Sequence, residues 1–230
     1  MKNWQLSNLY VSKLKKDELR ELITFVITEI YEHFNYKDYT QKSLENELEY
    51  LLNEDIAFYD NSVYYVLRDC TEHKIYGSIK TTLWDRTTIL PMEKLFDIGI
   101  QDILIAGYPN VWHVGRFVIS RKIPADRICI LKKMLYQAFY PVYAIGAGII
   151  LAECDKKLTM TLKKMGINSF ILGESIEYIC SETLPIYIRS DWLARYICLN
   201  TERYFYKEAE EDCKFFLNRK KNIASEKIML

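Results

Sequence analysis

The segment from Trp112 to Ser120, Trp-His-Val-Gly-Arg-Phe-Val-Ile-Ser, constrains the fold of this chain more than any other. Its aromatic and β-branched residues predict a strand. Yet a His, a Gly and an Arg are set inside it. Glycine weakens a strand and often marks a bulge, and buried His or Arg costs free energy unless it is paired. His113 and Arg116 are three positions apart, so an unbroken strand would turn them to opposite faces. A bulge at Gly115 would bring both towards one side. The competing reading is a plain strand in which Gly115 serves close packing.

The length of 230 residues allows one domain with an appendage or two small domains, and a hydrophobic share of 50% is ample for a core. Lys+Arg and Asp+Glu balance at 31 each, which argues against a general nucleic-acid binder. The six cysteines form no Cys-x-x-Cys pair and only three His accompany them, so no metal site is expected. Cys129 and Cys180 lie beside isoleucines, the usual context of a reduced, buried thiol. Met1 to Gln5 holds no apolar signal core, and no apolar run reaches the ~20 residues that cross a bilayer. The expectation is a soluble, cytoplasmic protein with no transmembrane segment.

Periodicity orders the elements. Leu19, Leu22, Ile23, Val26, Ile27 and Ile30 form one stripe of a helix over 14–35. A second helix covers 42–53. Residues 62–68 and 75–83 read as an antiparallel hairpin around a polar turn at Glu72 to Lys74. A short helix near Met92 to Phe96 precedes the Trp112 strand. Pro124 suits the first turn of the next helix, and Pro141 is expected to stop it near Tyr140. Ala147 to Ala152 is a short, wholly apolar strand of the kind covered on both faces. A helix over 155–165, strands over 169–172 and 184–188, and a helical, Tyr-rich tail follow. The order predicts one α/β domain with a mixed central sheet and helices on both faces.

That order resembles the GNAT (acyl-CoA N-acyltransferase) fold, and within it the branch of acyl-homoserine-lactone (autoinducer) synthases and N-acyl amino acid synthases. Gly77 to Leu83, continuing through Thr87 to Met92 and Leu95-Phe96, is similar to that branch's strand and following Leu-x-x-x-Phe element. Trp112 to Phe117 resembles its Trp-Glu-x-x-Arg-Phe strand, and Gly146 to Gly173 its strand-helix tail. His113 stands where the branch has Glu, and Lys80 where it usually has Arg. The N-terminal Arg-Phe-Trp pattern is matched loosely by Arg20 and Phe25, with Tyr31 in place of Trp. These departures bear on homoserine-lactone synthesis and leave acyl transfer to another amine intact. The resemblance implies a GNAT-like domain over 1–190 and a helical extension over 191–230 packed on it.

The chemistry implied is direct attack of an amine on a thioester, with a backbone N–H at the Gly115 bulge steadying the oxyanion. His113 is the candidate base, since imidazole exchanges a proton near neutral pH; the alternative is a core His bonded to a backbone carbonyl. Arg116 would clamp a substrate carboxylate or form a structural ion pair with a buried acid. Asp60, Lys80, Arg20 and Phe117 complete the expected acceptor site, although Asp60 equally suits turn chemistry. The donor, acyl-ACP or acyl-CoA, would lie in a splay between the Trp112 and Ala147 strands. It would touch Val118, Ser120, Arg121, Lys122 and Arg127 and reach free N–H groups at the next helix's start. Lys132, Lys133, Lys156, Lys157, Lys163 and Lys164 offer a docking face for an acidic acyl carrier protein. Tyr136, Phe139, Tyr140, Tyr143 and Ile149 to Leu151 are the expected acyl lining. A short-chain acetyltransferase and a non-catalytic acyl- or partner-binding module are the alternative readings.

Overall fold

Strand formation begins earlier than the hydrophobic pattern suggests. The computed structural model describes residues 8–34, 41–103, 107–123, 126–178 and 181–226. It places β1 (Leu9–Lys13) antiparallel to β2 (Ser62–Asp69), with Leu9 opposite Asp69. Only Leu9 of β1 is buried, so this edge strand carries no alternation to read. Between them lie α1 (Leu19–Phe34) and α2 (Gln41–Phe58). The predicted stripe of α1 is real: Leu19, Leu22, Ile23, Val26 and Ile27 are all buried. The second helix runs five residues past its expected end and carries Glu54 and Asp55 onto the sheet.

The hairpin is β2 with β3 (Ile75–Leu83), and β3 pairs antiparallel with β4 (Asn110–Ile119). α3 (Pro91–Phe96) and α4 (Ile100–Ile103) fill the long β3–β4 connection. α5 (Arg127–Ile145) then returns the chain so that β5 (Gly148–Asp155) lies parallel to β4. After α6 (Lys156–Lys164) come β6 (Phe170–Ile171), β7 (Ile176–Tyr178) and β8 (Ser181–Arg189), with β8 antiparallel to β5. The sheet order is β1-β2-β3-β4-β5-β8-β6, with β7 also on β8. β4–β5 is the parallel pair within it.

Two layers cover the sheet. α1 and α2 pack on the face of Tyr64, Val66 and Lys80, while α5 and the last helices, α7 (Ala194–Tyr204) and α8 (Ala209–Glu226), cover the face of Trp112, Ile150 and Ile186. Trp112 meets Phe216 of α8 edge-on, with ring centroids 4.8 Å apart. Gly148 makes room for the same indole: a Cβ there would stand 2.7 Å from Trp112 Nε1.

Three expectations need correction. Pro141 does not end its helix. α5 continues to Ile145 because Pro141, Ala138, Phe139 and Val142 are all buried, and that packing outweighs the roughly 3 kcal/mol of one missing helical hydrogen bond. The strand expected over 169–172 shrinks to Phe170–Ile171, both exposed. The last strand is nine residues, not five, and gains β7 as a neighbour. Pro124 and Cys180 lie outside the described residues. Among the described residues no helix is long and apolar enough to cross a membrane, and five cysteines are free thiols.

Phe216 is wholly buried against Trp112. Phe216→Ala is expected to lower stability by about 3–5 kcal/mol within a single urea transition followed by circular dichroism. A separate early transition would show that the C-terminal helices melt on their own.

Candidate active site

The site begins where a ladder ends. β4 and β5 pair from Asn110↔Gly148 to His113↔Leu151 and no further. Beyond that point β5 continues on β8 to Asp155 and β4 continues on β3 to Ile119. The two strands therefore diverge, and a cavity of about 250 Å³ opens between them. The β4 edge beyond His113 turns towards it without a strand partner.

A bulge in β4 accompanies the divergence. Ser78 pairs with Val118 and Lys80 with Gly115, so Ile79 alone opposes both Arg116 and Phe117. Arg116 takes the left-handed conformation, φ 52°, and its carbonyl accepts a hydrogen bond from Ser78 Oγ at 2.7 Å. The extra residue turns Arg116 to the α2 side. His113 shares that side, since its pairing partner Thr82 and the residue Lys80 are two apart on β3. The bulge thus falls just past Gly115, where it was expected; Gly115 itself pairs with Lys80, and its need is steric. A Cβ there would lie 2.8 Å from His113 Cε1, so the imidazole lies over the glycine.

The α2 acids bind this bulge. Arg116 Nε donates to Asp55 Oδ2 at 2.8 Å and Nη2 to Glu54 Oε2 at 2.7 Å. Lys80 Nζ donates to Asp55 Oδ1 at 2.8 Å, and both side chains are 0% exposed. Lys94 of α3 bonds the other oxygen of Glu54 at 3.1 Å. Burial alone would raise the Asp55 carboxyl; the Lys80 and Arg116 charges outweigh it and bring it down to about 2. Burial and the Arg116 charge draw the Lys80 ammonium down, with Asp55 as counterweight. Burial opposes the Arg116 charge too, but Asp55 and Glu54 raise its pKa.

His113 has a different partner. Its Nε2 lies 3.0 Å from Glu153 Oε2, with side-chain exposures of 3% and 13%. Both side chains line the cavity, as do Gly115, Arg116, Phe117 and Val118. The cavity is two-sided. Glu54, Lys94, Arg116 and Tyr178 mark its polar side, and Leu135, Phe139, Ile150 and Leu162 its apolar side. Burial pushes the Tyr178 hydroxyl up to about 12, so it stays a donor at neutral pH.

Other expected site residues lie elsewhere. Asp60 is exposed in a 3₁₀ turn, Tyr59–Asn61, away from the cavity; the buried acid is Asp55, one helical turn earlier. Arg20 points out of α1 and pairs with Glu49. Lys80 stands behind the cavity wall, committed to Asp55. The start of α5 is not an open anion site. Asp126 caps it, accepting from Ile128 N and Cys129 N at 3.1 Å. Ser120 donates to Glu29, Lys122 pairs with Glu32, Arg121 donates to His33, and Arg127 bonds the carbonyls of Ile119 and Ser120. None of these four lines the cavity. Of the expected acyl lining, only Phe139 and Ile150 reach it; Tyr136 is ordinary core. Glu54, Asp55, Lys94, Glu153 and Tyr178 were not read from the sequence. Glu153 had a signal, an acid directly after an apolar strand.

No protein-family model matches the chain, and no curated protein matches it in sequence. Solved structures do match. BjaI, a CoA-dependent acyl-homoserine lactone synthase solved with SAM and isopentyl-CoA, aligns with a TM-score of 0.56 at 9% identity over 86% of this chain and 90% of that one. FeeM, an N-acyl amino acid synthase from uncultured soil microbes, gives 0.54 at 13% identity over 81% and 93%. TofI, solved in a ternary complex with an inhibitor and MTA, gives 0.52 at 14% identity over 82% and 96%. The chain shares their GNAT fold, as its element order led one to expect.

Two outcomes follow from the charge cluster. Asp55→Ala leaves Lys80 and Arg116 buried without their shared anion and is expected to cost about 3–5 kcal/mol, read from the urea midpoint. The folded carboxyl also binds its proton more weakly than the unfolded one, about 2 against 3.8. Its contribution is therefore complete above about pH 4 and is lost as pH falls from 4 towards 2. Stability measured across that range should drop less steeply in Asp55→Ala than in the wild type.

Proposed function

We propose that the protein is an N-acyltransferase. It moves an acyl group, a fatty acyl group where the apolar side takes its chain, from a carrier-protein or coenzyme A thioester to the amine of an amino acid or related small molecule. The observation that carries this reading is the parting of β4 and β5 after His113↔Leu151, with a two-sided cavity in the gap. A thioester carrying an apolar chain has the same two-sided character. The shared fold supports the reaction class and leaves donor and acceptor open.

In the proposed reaction His113 takes a proton from the acceptor ammonium and frees the nitrogen lone pair. The amine nitrogen bonds to the thioester carbonyl carbon, and the carbonyl electron pair moves onto oxygen. The unpaired β4 edge beyond His113 offers backbone N–H groups to that oxyanion, and Gly115 and the Arg116 bulge lie on it. When the carbonyl re-forms, the C–S bond breaks. The thiolate leaves with the electron pair and takes up, as the free thiol, the proton that the new amide nitrogen gives up.

Arg116 lines the polar side with two of its nitrogens committed to Asp55 and Glu54. Arg116, Lys80 and Lys94 set three cationic side chains against two acids, Glu54 and Asp55. That surplus of one positive charge supports Arg116 as the partner of an acceptor carboxylate. For the donor, Lys157, Lys163 and Lys164 of α6 are exposed on the element that also gives Leu158 to the cavity lining. They are the face on which an acidic carrier protein would dock. The free thiols fit a reducing cytoplasm.

Purified protein incubated with acyl-CoA or acyl carrier protein donors and a panel of amino acids and amines should yield an N-acyl product by mass spectrometry. His113→Ala should lower kcat by roughly 10²–10⁴-fold. Transfer of acetyl alone would point to the short-chain reading. Absence of product with every donor, despite donor binding, would favour a binding module.

A further inference from the structure

Glu153 is the one carboxylate within hydrogen-bond distance of His113 among the described residues. It follows directly on the apolar run of β5 and faces the diverging gap from the strand opposite His113. An ionised carboxylate can only accept a hydrogen bond. At 3.0 Å from Oε2, Nε2 of a neutral imidazole must therefore carry the proton. That leaves the lone pair on Nδ1. No hydrogen-bond partner falls to Nδ1 among the described residues, and it is not among the buried unsatisfied atoms. The ring is held over Gly115, where a side chain would displace it: a Cβ would come 2.8 Å from Cε1 and 3.6 Å from Nδ1.

We infer that Glu153 is the positioning residue of a His113–Glu153 dyad, which holds the imidazole as the Nε2–H tautomer and presents Nδ1 to the acceptor amine. This rests on the acyl-transfer reading. In the step itself the acceptor ammonium loses one proton and Nδ1 gains it. The imidazolium then has both nitrogens protonated, with Glu153 as the counter-anion of its Nε2 end. Carboxylate partners of this kind orient an imidazole and increase its basicity.

The neighbouring charges do not compete for the role. Glu54 and Asp55 of α2 are held by Arg116 of β4, Lys80 of β3 and Lys94 of α3. Asp155 of β5 caps α6 through Leu158 N at 2.7 Å. Tyr178 of β7, kept protonated by burial, adds no charge.

The dyad has two independent readouts, and the chain has only three His to assign. Nitrogen chemical shifts of neutral His113 in the wild type should report the Nε2–H tautomer. In Glu153→Gln the amide can present either oxygen or N–H, so a mixture of tautomers is expected. The acid limb of kcat/KM should move to lower pH once the imidazolium loses its anion. The plateau of kcat should fall about 10–100-fold, with the donor KM little changed. Glu153→Asp, which keeps the charge, should restore the acid limb. A wild-type Nδ1–H tautomer would overturn the dyad, and so would a Glu153→Gln profile superimposable on the wild type. If the wild type transfers no acyl group, the functional reading falls while the tautomer still decides the pairing.

Discussion

Arg116 is the hinge on which the site turns. A non-glycine residue in the left-handed region costs of order 1–3 kcal/mol, and Arg116 sits there at φ 52°. Three contacts hold it: Asp55 and Glu54 on the guanidinium, and the Ser78 hydroxyl on the carbonyl. The resulting bulge bends and over-twists β4. The parallel ladder with β5 stops after His113, just before this bulge. The extra residue also turns Arg116 to the side that His113 already faces through its regular pairing with Thr82.

The ions around it matter more for geometry than for net stability. Taking charges out of water is costly, and a paired cluster does little better than an apolar one of the same shape. What the cluster supplies is direction. Lys80 and Asp55, both sealed from solvent, bind the centre of β3 to the end of α2. Arg116 and Lys94 then extend the same network to the cavity wall. The polar side is thus built on a rigid base, while the apolar side is ordinary packing from α5, β5 and β8.

Much of this was legible. The α1 stripe, the 75–83 strand and the Trp112 strand stand where hydrophobic period and β-propensity put them. His-x-Gly-Arg inside a strand pointed to the bulge because it combined a weak strand former with two groups that resist burial. What escaped was mostly distant in sequence. Asp55 meets Arg116 across 61 positions, and no local pattern connects an acid near a helix end to a strand formed later. Asp60 was the acid expected because it adjoins the hairpin, but the extra turn of α2 carried Asp55 inward instead. The open helix start was misjudged for a simpler reason: Asp126 is the natural N-cap of α5, and it occupies the amides an anion would use. Pro141 was over-read, since burial can hold a helix through one proline.

The contact of Trp112 with Phe216, together with the bond from Tyr65 to Asp212 across 147 positions, has a bearing on biosynthesis. The flank of the sheet opposite the charge cluster is covered in part by α8, which follows every strand of the sheet in chain order. While that segment is still inside the ribosome, the nascent chain leaves the aromatic surface around Trp112 and Tyr65 without its α8 cover. Closure of that face must therefore wait until residues 209–226 have emerged, and the interval before it is when a chaperone would be needed most.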